Sequence, residues 1–319
     1  MNLESKVKTI KADRHLSSIK TKFKYSSNVS YNVILGCPRS GTTFLIDSLR
    51  ALPYCECVSG HLIPLSIPHI VNQSLPPEIY QCLLNSFEFS LQDYLSSISK
   101  ARFQYLQKWI NNYISAKELI QAFQRKREIK SIVYKEPFLS FAPEYTYNAL
   151  PNCRIVHIYR DGRDCADSLS RRYKSLTDEK LATLNSGAML LGRKYDYRYV
   201  PWWVKEGKEE EFLACTPYVR AVWMWKEMVK LCHDFFARPD VVASGRVMLL
   251  KYEDFVNDPL KYGESVVEHF GFSMNNRLQT KFKLAKASSI GIHRKHRKFS
   301  EIESAEKIAR AELELYGYF

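Results

Sequence analysis

Three apolar residues, Val33-Ile34-Leu35, end at Gly36, and Cys37-Pro38-Arg39-Ser40-Gly41-Thr42-Thr43 follows. Leu45, Leu49 and Leu52 then recur at helical spacing until Pro53. That order reads as strand, tight loop and helix. Such a loop aims successive backbone N–H groups at one point, beside the positive end of a helix, and makes an anion site suited to phosphate. Gly36 and Gly41 have the separation of a triphosphate-binding loop, but Thr42 stands where that pattern requires lysine. The loop's cation is Arg39. A shorter phosphate carrying a different group fits this loop better than the end of a triphosphate.

A second set of anion-binding side chains lies downstream. Arg160 follows a strand candidate, Arg154 to Tyr159, and Ser168 and Arg172 share a face of the next helix, about Asp164 to Tyr173. Two guanidinium forks and a hydroxyl converging there suit a phosphate. Lys135 ends another strand candidate, Ser131 to Tyr134, just before Glu136-Pro137-Phe138. The loop, Lys135 and Arg160 all fall at strand carboxyl ends, where parallel sheets bind ligands.

The rest of the chain supplies elements to position these groups. Residues 1 to 28 read as a flexible basic arm, 53 to 77 as an irregular connection, and 78 to 127 as a helical cap or bundle. Residues 176 to 212 read as irregular, with Tyr195, Tyr197, Tyr199, Trp202 and Trp203 packed or lining a pocket. Thr216-Pro217 opens a helix to about Phe236. Arg246 to Lys251 is a strand leading into Tyr252, and Asp258-Pro259 opens a helix that Gly271 closes. Ser300-x-x-Glu303 reads as a capping box for a last helix ending near Gly317. Strands alternating with helices predict an α/β fold: one domain, 29–319, with a P-loop-like parallel sheet flanked by helices. At 319 residues and 45% hydrophobic, the chain can bury a substantial core.

Net charge is +13, and residues 277 to 298 carry Arg277, Lys281, Lys283, Lys286, Arg294, Lys295, Arg297 and Lys298 with no acid among them. Charge alone leaves a solvated face, a nucleic-acid patch and a polyanionic-ligand site all open. The eight cysteines form no small-scaffold framework and are expected to be reduced. Cys55, Cys57, His61 and His69 have cramped spacing for a zinc site. No apolar run approaches about 18 residues, so no membrane span is expected. The N-terminus lacks the apolar core of a signal peptide, and a cytoplasmic location is expected. His157, inside an apolar strand, reads as core; His293 and His296 read as charge or packing.

Taken together, the two motifs resemble the sulfotransferase family that uses 3′-phosphoadenosine 5′-phosphosulfate. Pro38-Arg39-Ser40-Gly41-Thr42-Thr43 is similar to its 5′-phosphosulfate loop, and Arg160 with Ser168, eight residues on, to its 3′-phosphate site. Lys135-Glu136-Pro137-Phe138 and Arg160-Asp161-Gly162-Arg163 resemble in particular the protein-tyrosine sulfotransferases and related bacterial enzymes. Ser289-x-Gly291-x-His293-Arg294-Lys295 resembles a degraded form of the family's cofactor-closing loop. The resemblance spans roughly residues 31 to 318.

It implies that Arg39, Ser40, Gly41, Thr42 and Thr43 grip the 5′ end of the donor, and that Arg160, Ser168 and Arg172 grip the 3′-phosphate. It also implies that Tyr252 lies near the adenine and that Lys295 belongs to the closing loop. Arg39 and Lys135 are the candidates for stabilising charge on the leaving oxygen. Relatives of the tyrosine type carry a glutamate about 21 residues beyond the loop arginine; here that count reaches Gly60, with His61 beside it. His61 is therefore the candidate base, with Glu56 and Glu136 in reserve. The implied reaction moves a sulfuryl group to a hydroxyl or amine of a small-molecule acceptor, with 78–127 and 176–212 as acceptor-side insertions. A carbohydrate or peptide-tyrosine acceptor is the alternative within the family. A P-loop kinase or NTPase and a basic nucleic-acid-binding module are the alternatives outside it. No metal, nucleic acid or membrane partner is expected.

Overall fold

The computed structural model describes residues 29–96, 105–123, 129–185 and 191–319; the predicted basic arm, 1–28, lies outside them. The sheet strands are β1 (Ser30–Leu35), β2 (Cys55–Ser59), β3 (Ser131–Lys135), β4 (Arg154–Tyr159) and β7 (Val247–Lys251); a separate hairpin is formed by β5 (Gly192–Tyr195) and β6 (Arg198–Pro201). Five strands make one parallel sheet in the order β2-β3-β1-β4-β7. Helices α1 (Thr42–Leu49), α2 (Pro77–Ser96), α3 (Gly162–Tyr173), α4 (Pro217–Phe236) and α5 (Phe299–Leu315) are the main helical elements that pack around it.

Strands covered on both faces read as continuous apolar runs rather than alternating ones. Val33, Leu35, Ile132, Tyr134 and Ile155 face one core with Phe87, Leu91 and Phe236. Ile34, Val133, Val156 and Ile158 face the other, with Leu45 and Leu49 of α1, Phe255 and Phe282. Helix α4 is buried nearly all round, because it packs between α3, α5 and the sheet. Its start follows the sequence signal: Thr216 Oγ1 accepts from the Val219 N–H, and Pro217 occupies the first turn.

Register levels the carboxyl ends. Ile34 and Ser59 both pair with Lys135, Leu35 pairs with His157, and Tyr159 pairs with Lys251. Gly36, Gly60, Glu136, Arg160 and Tyr252 therefore open along one edge of the sheet.

Three sequence expectations differ from the structure. Residues 53 to 77 contain the edge strand β2 and a short helix, Ile67–Val71. The strand is hidden in sequence because it carries an acid, Glu56. That carboxylate is buried and accepts from Lys108 Nζ at 2.7 Å, Tyr105 at 2.7 Å and Tyr94 at 3.4 Å, which fastens the helical turn at 105–110 over β2. Glu56 is thus committed to a structural ion pair. Residues 176 to 212 hold the β5–β6 hairpin and two short helices, Asp178–Ala182 and Glu209–Ala214; Trp203 stacks on Phe141 at 5.9 Å as packing. Helix α5 begins at Phe299 with Lys298 as its cap residue and no side-chain cap bond, so Ser300 lies inside the first turn, where its hydroxyl cannot cap. The predicted cap at 78–127 is helical at Pro77–Ser96 and Ala116–Phe123, while 97–104 and 124–128 are outside the described residues.

Removing one partner of a buried ion pair strands the other charge and costs about 3–5 kcal/mol. Lys108 and Glu56 are both 2% exposed. Lys108→Ala is expected to lose about 3 kcal/mol of stability in urea unfolding. A variant as stable as the wild type would mean that the pair does not hold β2 in place.

Candidate active site

The loop between β1 and α1 brings backbone close to its neighbours. Gly36 has φ 149°, and a Cβ there would stand 2.2 Å from the Ile158 carbonyl oxygen. Gly41 has φ 101°, and a Cβ would stand 2.6 Å from the Tyr252 ring. Neither space nor backbone admits a larger residue. The Gly36 N–H donates to Ser140 Oγ at 2.8 Å, and the Ser40 N–H to the Cys37 carbonyl at 3.0 Å. Ser40 Oγ is fully buried without a hydrogen-bond partner. An orphaned donor inside an N–H-rich loop fits an anion.

A cavity of about 410 Å³ runs along the sheet edge, walled by Arg39, Gly41, Thr42, Thr43, Arg160, Ser168, Tyr252 and Ser289. Arg160 is only 5% exposed. Its Nη1 donates to the Arg39 carbonyl at 3.2 Å, and its Nη2 donates to the Ser289 carbonyl. Its guanidinium lies 4.5 Å from the centre of the Tyr252 ring, and its Nε has no partner. Tyr252 and Ser289 hydroxyls meet at 2.9 Å. Helix α4 fixes the base of this group, since Trp225 Nε1 donates to the Arg160 carbonyl at 2.9 Å.

The two anion motifs touch. Arg39 Nε donates to Ser168 Oγ at 2.9 Å, and Arg39 Nη1 to the Tyr173 hydroxyl at 3.3 Å. The structure therefore brings Arg39, Ser40, Gly41, Thr42, Thr43, Arg160, Ser168 and Tyr252 into one site. Two residues stand apart from it. Arg172 is exposed on α3, and its neighbour Arg171 reaches the cavity wall instead. Lys295 is exposed on the short helix His293–His296.

A second cavity, of about 300 Å³, meets the first at Arg39, Thr42 and Thr43. Its other walls are Pro38, Lys135, Pro137, Phe138, Leu169, Tyr173, Ser175, Leu176 and Met224. Lys135 Nζ reaches Thr43 Oγ1 at 3.4 Å. Burial pulls the Lys135 ammonium below its ordinary range, against the opposing charges of Glu136 and Asp47. His61 follows β2, and its Nδ1 lies 2.8 Å from Glu136 Oε2; it is not on the wall of either cavity.

The loop after Ala287–Ser289 is held in place by contacts that none of the motifs read from the sequence signals. Asp164, fully buried on α3, accepts from the Gly291 N–H at 2.7 Å and from the His293 N–H at 3.1 Å. It also meets His293 Nδ1 at 2.6 Å and Arg160 Nη2 at 3.5 Å. Asp167 binds Arg297 Nε at 2.8 Å and His296 Nδ1 at 3.1 Å. Arg297 of the basic segment is thus tied to α3, and both histidines serve charge and packing there. His157 is core as expected: burial pushes it down to about 3, so it is neutral. The only sequence signal for the clamp is two acids three residues apart on the helix that carries Ser168.

Comparison with known proteins places the chain. The family model described as "Sulfotransferase family" matches residues 33–276. The chain belongs to the sulfotransferase family, and it is a transferase of the class that takes its sulfuryl group from 3′-phosphoadenosine 5′-phosphosulfate. Among solved structures it is similar to the sulfotransferase domain of the Synechococcus PCC 7002 olefin synthase, at 17% identity and TM-score 0.43, covering 90% of each chain. It is also similar to a sulfotransferase from Alicyclobacillus acidocaldarius, at 18% identity and TM-score 0.39, over 86% of this chain and 98% of that one. A third likeness is a mouse sulfotransferase complexed with PAP, at 10% identity and TM-score 0.40, over 89% and 84%. No curated protein matches. Among the described residues no helix is long and apolar enough to cross a membrane, and no three His, Cys, Asp or Glu are grouped to hold a metal ion.

Burial alone would raise the Asp164 carboxyl, but hydrogen bonds from His293 and the Arg160 charge outweigh it and hold the group below the usual carboxylate range. A carboxyl depressed on folding contributes stability above its unfolded value, about 3.9, and loses it as pH falls through the folded value. Asp164→Asn is expected to flatten the acid side of the stability–pH curve and to speed amide exchange at 289–293 at pH 7. Unchanged exchange in that segment would contradict the clamp.

Proposed function

We propose that this sulfotransferase moves the sulfuryl group to a hydroxyl or amine on a small-molecule acceptor, with His61 as general base. The observation that carries the reading is the meeting of two cavities at Arg39, Thr42 and Thr43. The larger is lined by Arg39 and Arg160, neither of them held, among the described residues, in a side-chain ion pair at hydrogen-bond distance, and by Arg171, which is paired with Asp167; the two separated cations suit a nucleotide with separated phosphates. Arg39, the loop N–H groups and Thr42–Thr43 hold the 5′ end, and Arg160 with Ser168 holds the 3′-phosphate. Tyr252 closes the nucleotide side. The smaller cavity has apolar walls at Phe138, Leu169, Leu176 and Met224. It suits the body of a small acceptor whose nucleophile points at Thr43.

The acceptor oxygen or nitrogen attacks sulfur in line, and the nucleotide oxygen leaves. Arg39 and Lys135 donate to the charge that grows on the leaving oxygen, and His61 removes the acceptor proton. Arg39 and Lys135 are suited to that task because, among the described residues, neither is in an ion pair. A cation with no carboxylate bonded to it keeps its donors for a developing anion. Sulfate transfer asks no more of the protein than this positioning and electrostatic support.

Transfer of labelled sulfuryl to a panel of apolar alcohols, phenols and amines, set against saccharides and tyrosyl peptides, tests the reading. Transfer to the first group is expected; transfer only to saccharides or peptides would overturn the acceptor class. Lys135→Ala is expected to lower kcat by roughly 10²–10³, as loss of one such donor does. His61→Ala should keep nucleotide affinity and lose turnover. An active His61→Ala enzyme would remove His61 from the mechanism.

A further inference from the structure

We infer that Glu136 is the positioning residue of the base, fixing His61 in the one neutral form that can accept an acceptor's proton. This rests on His61 being the base, and it adds the residue that makes it one. His61 Nδ1 lies 2.8 Å from Glu136 Oε2, across 75 positions of sequence. The carboxylate is itself held: Glu136 is 3% exposed, and its Oε1 accepts from the Phe138 N–H at 3.1 Å. One oxygen thus caps the short 3₁₀ helix Pro137–Phe141, and the other is left to aim at His61.

The imidazole end is the reverse. The His61 side chain is 57% exposed. A carboxylate oxygen only accepts, so a contact at this distance requires the proton on Nδ1. Nε2 then carries the lone pair on the open side of the ring. Free imidazole favours the opposite arrangement, with the proton on Nε2, so the carboxylate selects the tautomer as well as the ring plane.

Backbone register makes this pair possible. Ser59 lies opposite Lys135 in adjacent parallel strands, so Gly60-His61 and Glu136 leave the sheet side by side. The Tyr134 hydroxyl donates to the Gly60 carbonyl at 2.9 Å and lies 3.4 Å from the Leu62 N–H, pinning the turn that presents His61. Among the described residues the ring's ion-pair partner is Glu136, and Tyr134 and Lys135 precede it on β3. Tyr134 is pushed far above its ordinary range by burial, so it stays neutral. Glu136 also faces Lys135 electrostatically. The chain direction through β3 thus puts the leaving-group cation and the support of the base on consecutive residues.

The test reads the two ring nitrogens of His61 by ¹⁵N NMR of the full chain, saturated with 3′,5′-adenosine bisphosphate, at pH 8. The resonance is assigned by its loss in His61→Ala. The expected spectrum shows Nδ1 protonated and Nε2 bare. In Glu136→Ala the same signals should move to the mixture of free histidine, while the bisphosphate raises the melting temperature as much as in the wild type. A bare Nδ1 in the wild type, or an unaltered tautomer in a folded Glu136→Ala chain, would overturn the positioning role. If Glu136→Ala does not fold, the wild-type spectrum alone still decides the tautomer. A doubly protonated ring at pH 8 would instead overturn the base assignment on which the inference rests.

Discussion

A guanidinium buried at the carboxyl edge of the sheet is the constraint on which this structure turns. Arg160 is 5% exposed, and a charge taken that far out of water must be surrounded by acceptors. The fold supplies them from three elements. The Arg39 carbonyl comes from the first loop, the Ser289 carbonyl from the C-terminal segment, and Asp164 from the helix after β4. Arg160 therefore gathers the loop, α3 and the closing segment around itself. The remaining Nε, buried and unpartnered, points to a group that those acceptors do not provide.

The same economy of charge separates structural cations from working ones. Asp161 binds Arg163, Asp167 binds Arg171 and Arg297, and Glu56 binds Lys108. Asp167–Arg297 holds α3 to the C-terminal segment and Glu56–Lys108 holds the turn at 105–110 to β2, while Asp161–Arg163 and Asp167–Arg171 lie within α3 and its cap. Arg39 and Lys135 have neutral partners instead, Ser168 and Tyr173 for one and Thr43 for the other. The Arg39–Ser168 bond is the join between the loop after β1 and helix α3.

What the sequence revealed and what it hid have physical reasons. The loop was legible because Gly36, Gly41 and their spacing are a backbone requirement, and the sheet because its central strands are unbroken apolar runs. Arg160 and Ser168 were legible as an eight-residue pair on one strand and helix. Strand β2 was not, because the buried Glu56 within it is matched by Lys108, Tyr105 and Tyr94, 38 to 52 residues away. Arg172 shares Ser168's face at a spacing of four, but at a spacing of three Arg171 lies on the cavity wall. His61 and Glu136 were each found as separate candidates. Their contact depends on the register of two neighbouring strands, which no local spacing encodes. The clamp by Asp164 depends likewise on where a segment 127 residues later returns.

We propose that one site, assembled around Arg160 and Arg39, holds both phosphates of a doubly phosphorylated adenosine. Isothermal titration calorimetry of 3′,5′-adenosine bisphosphate against adenosine 5′-monophosphate, without magnesium, tests it most directly. Two charge-assisted contacts to the 3′-phosphate are worth roughly 3 kcal/mol together, so the bisphosphate should bind about 100-fold more tightly. That advantage should vanish in Arg160→Ala. Equal affinity for the two nucleotides in the wild-type protein would contradict the account.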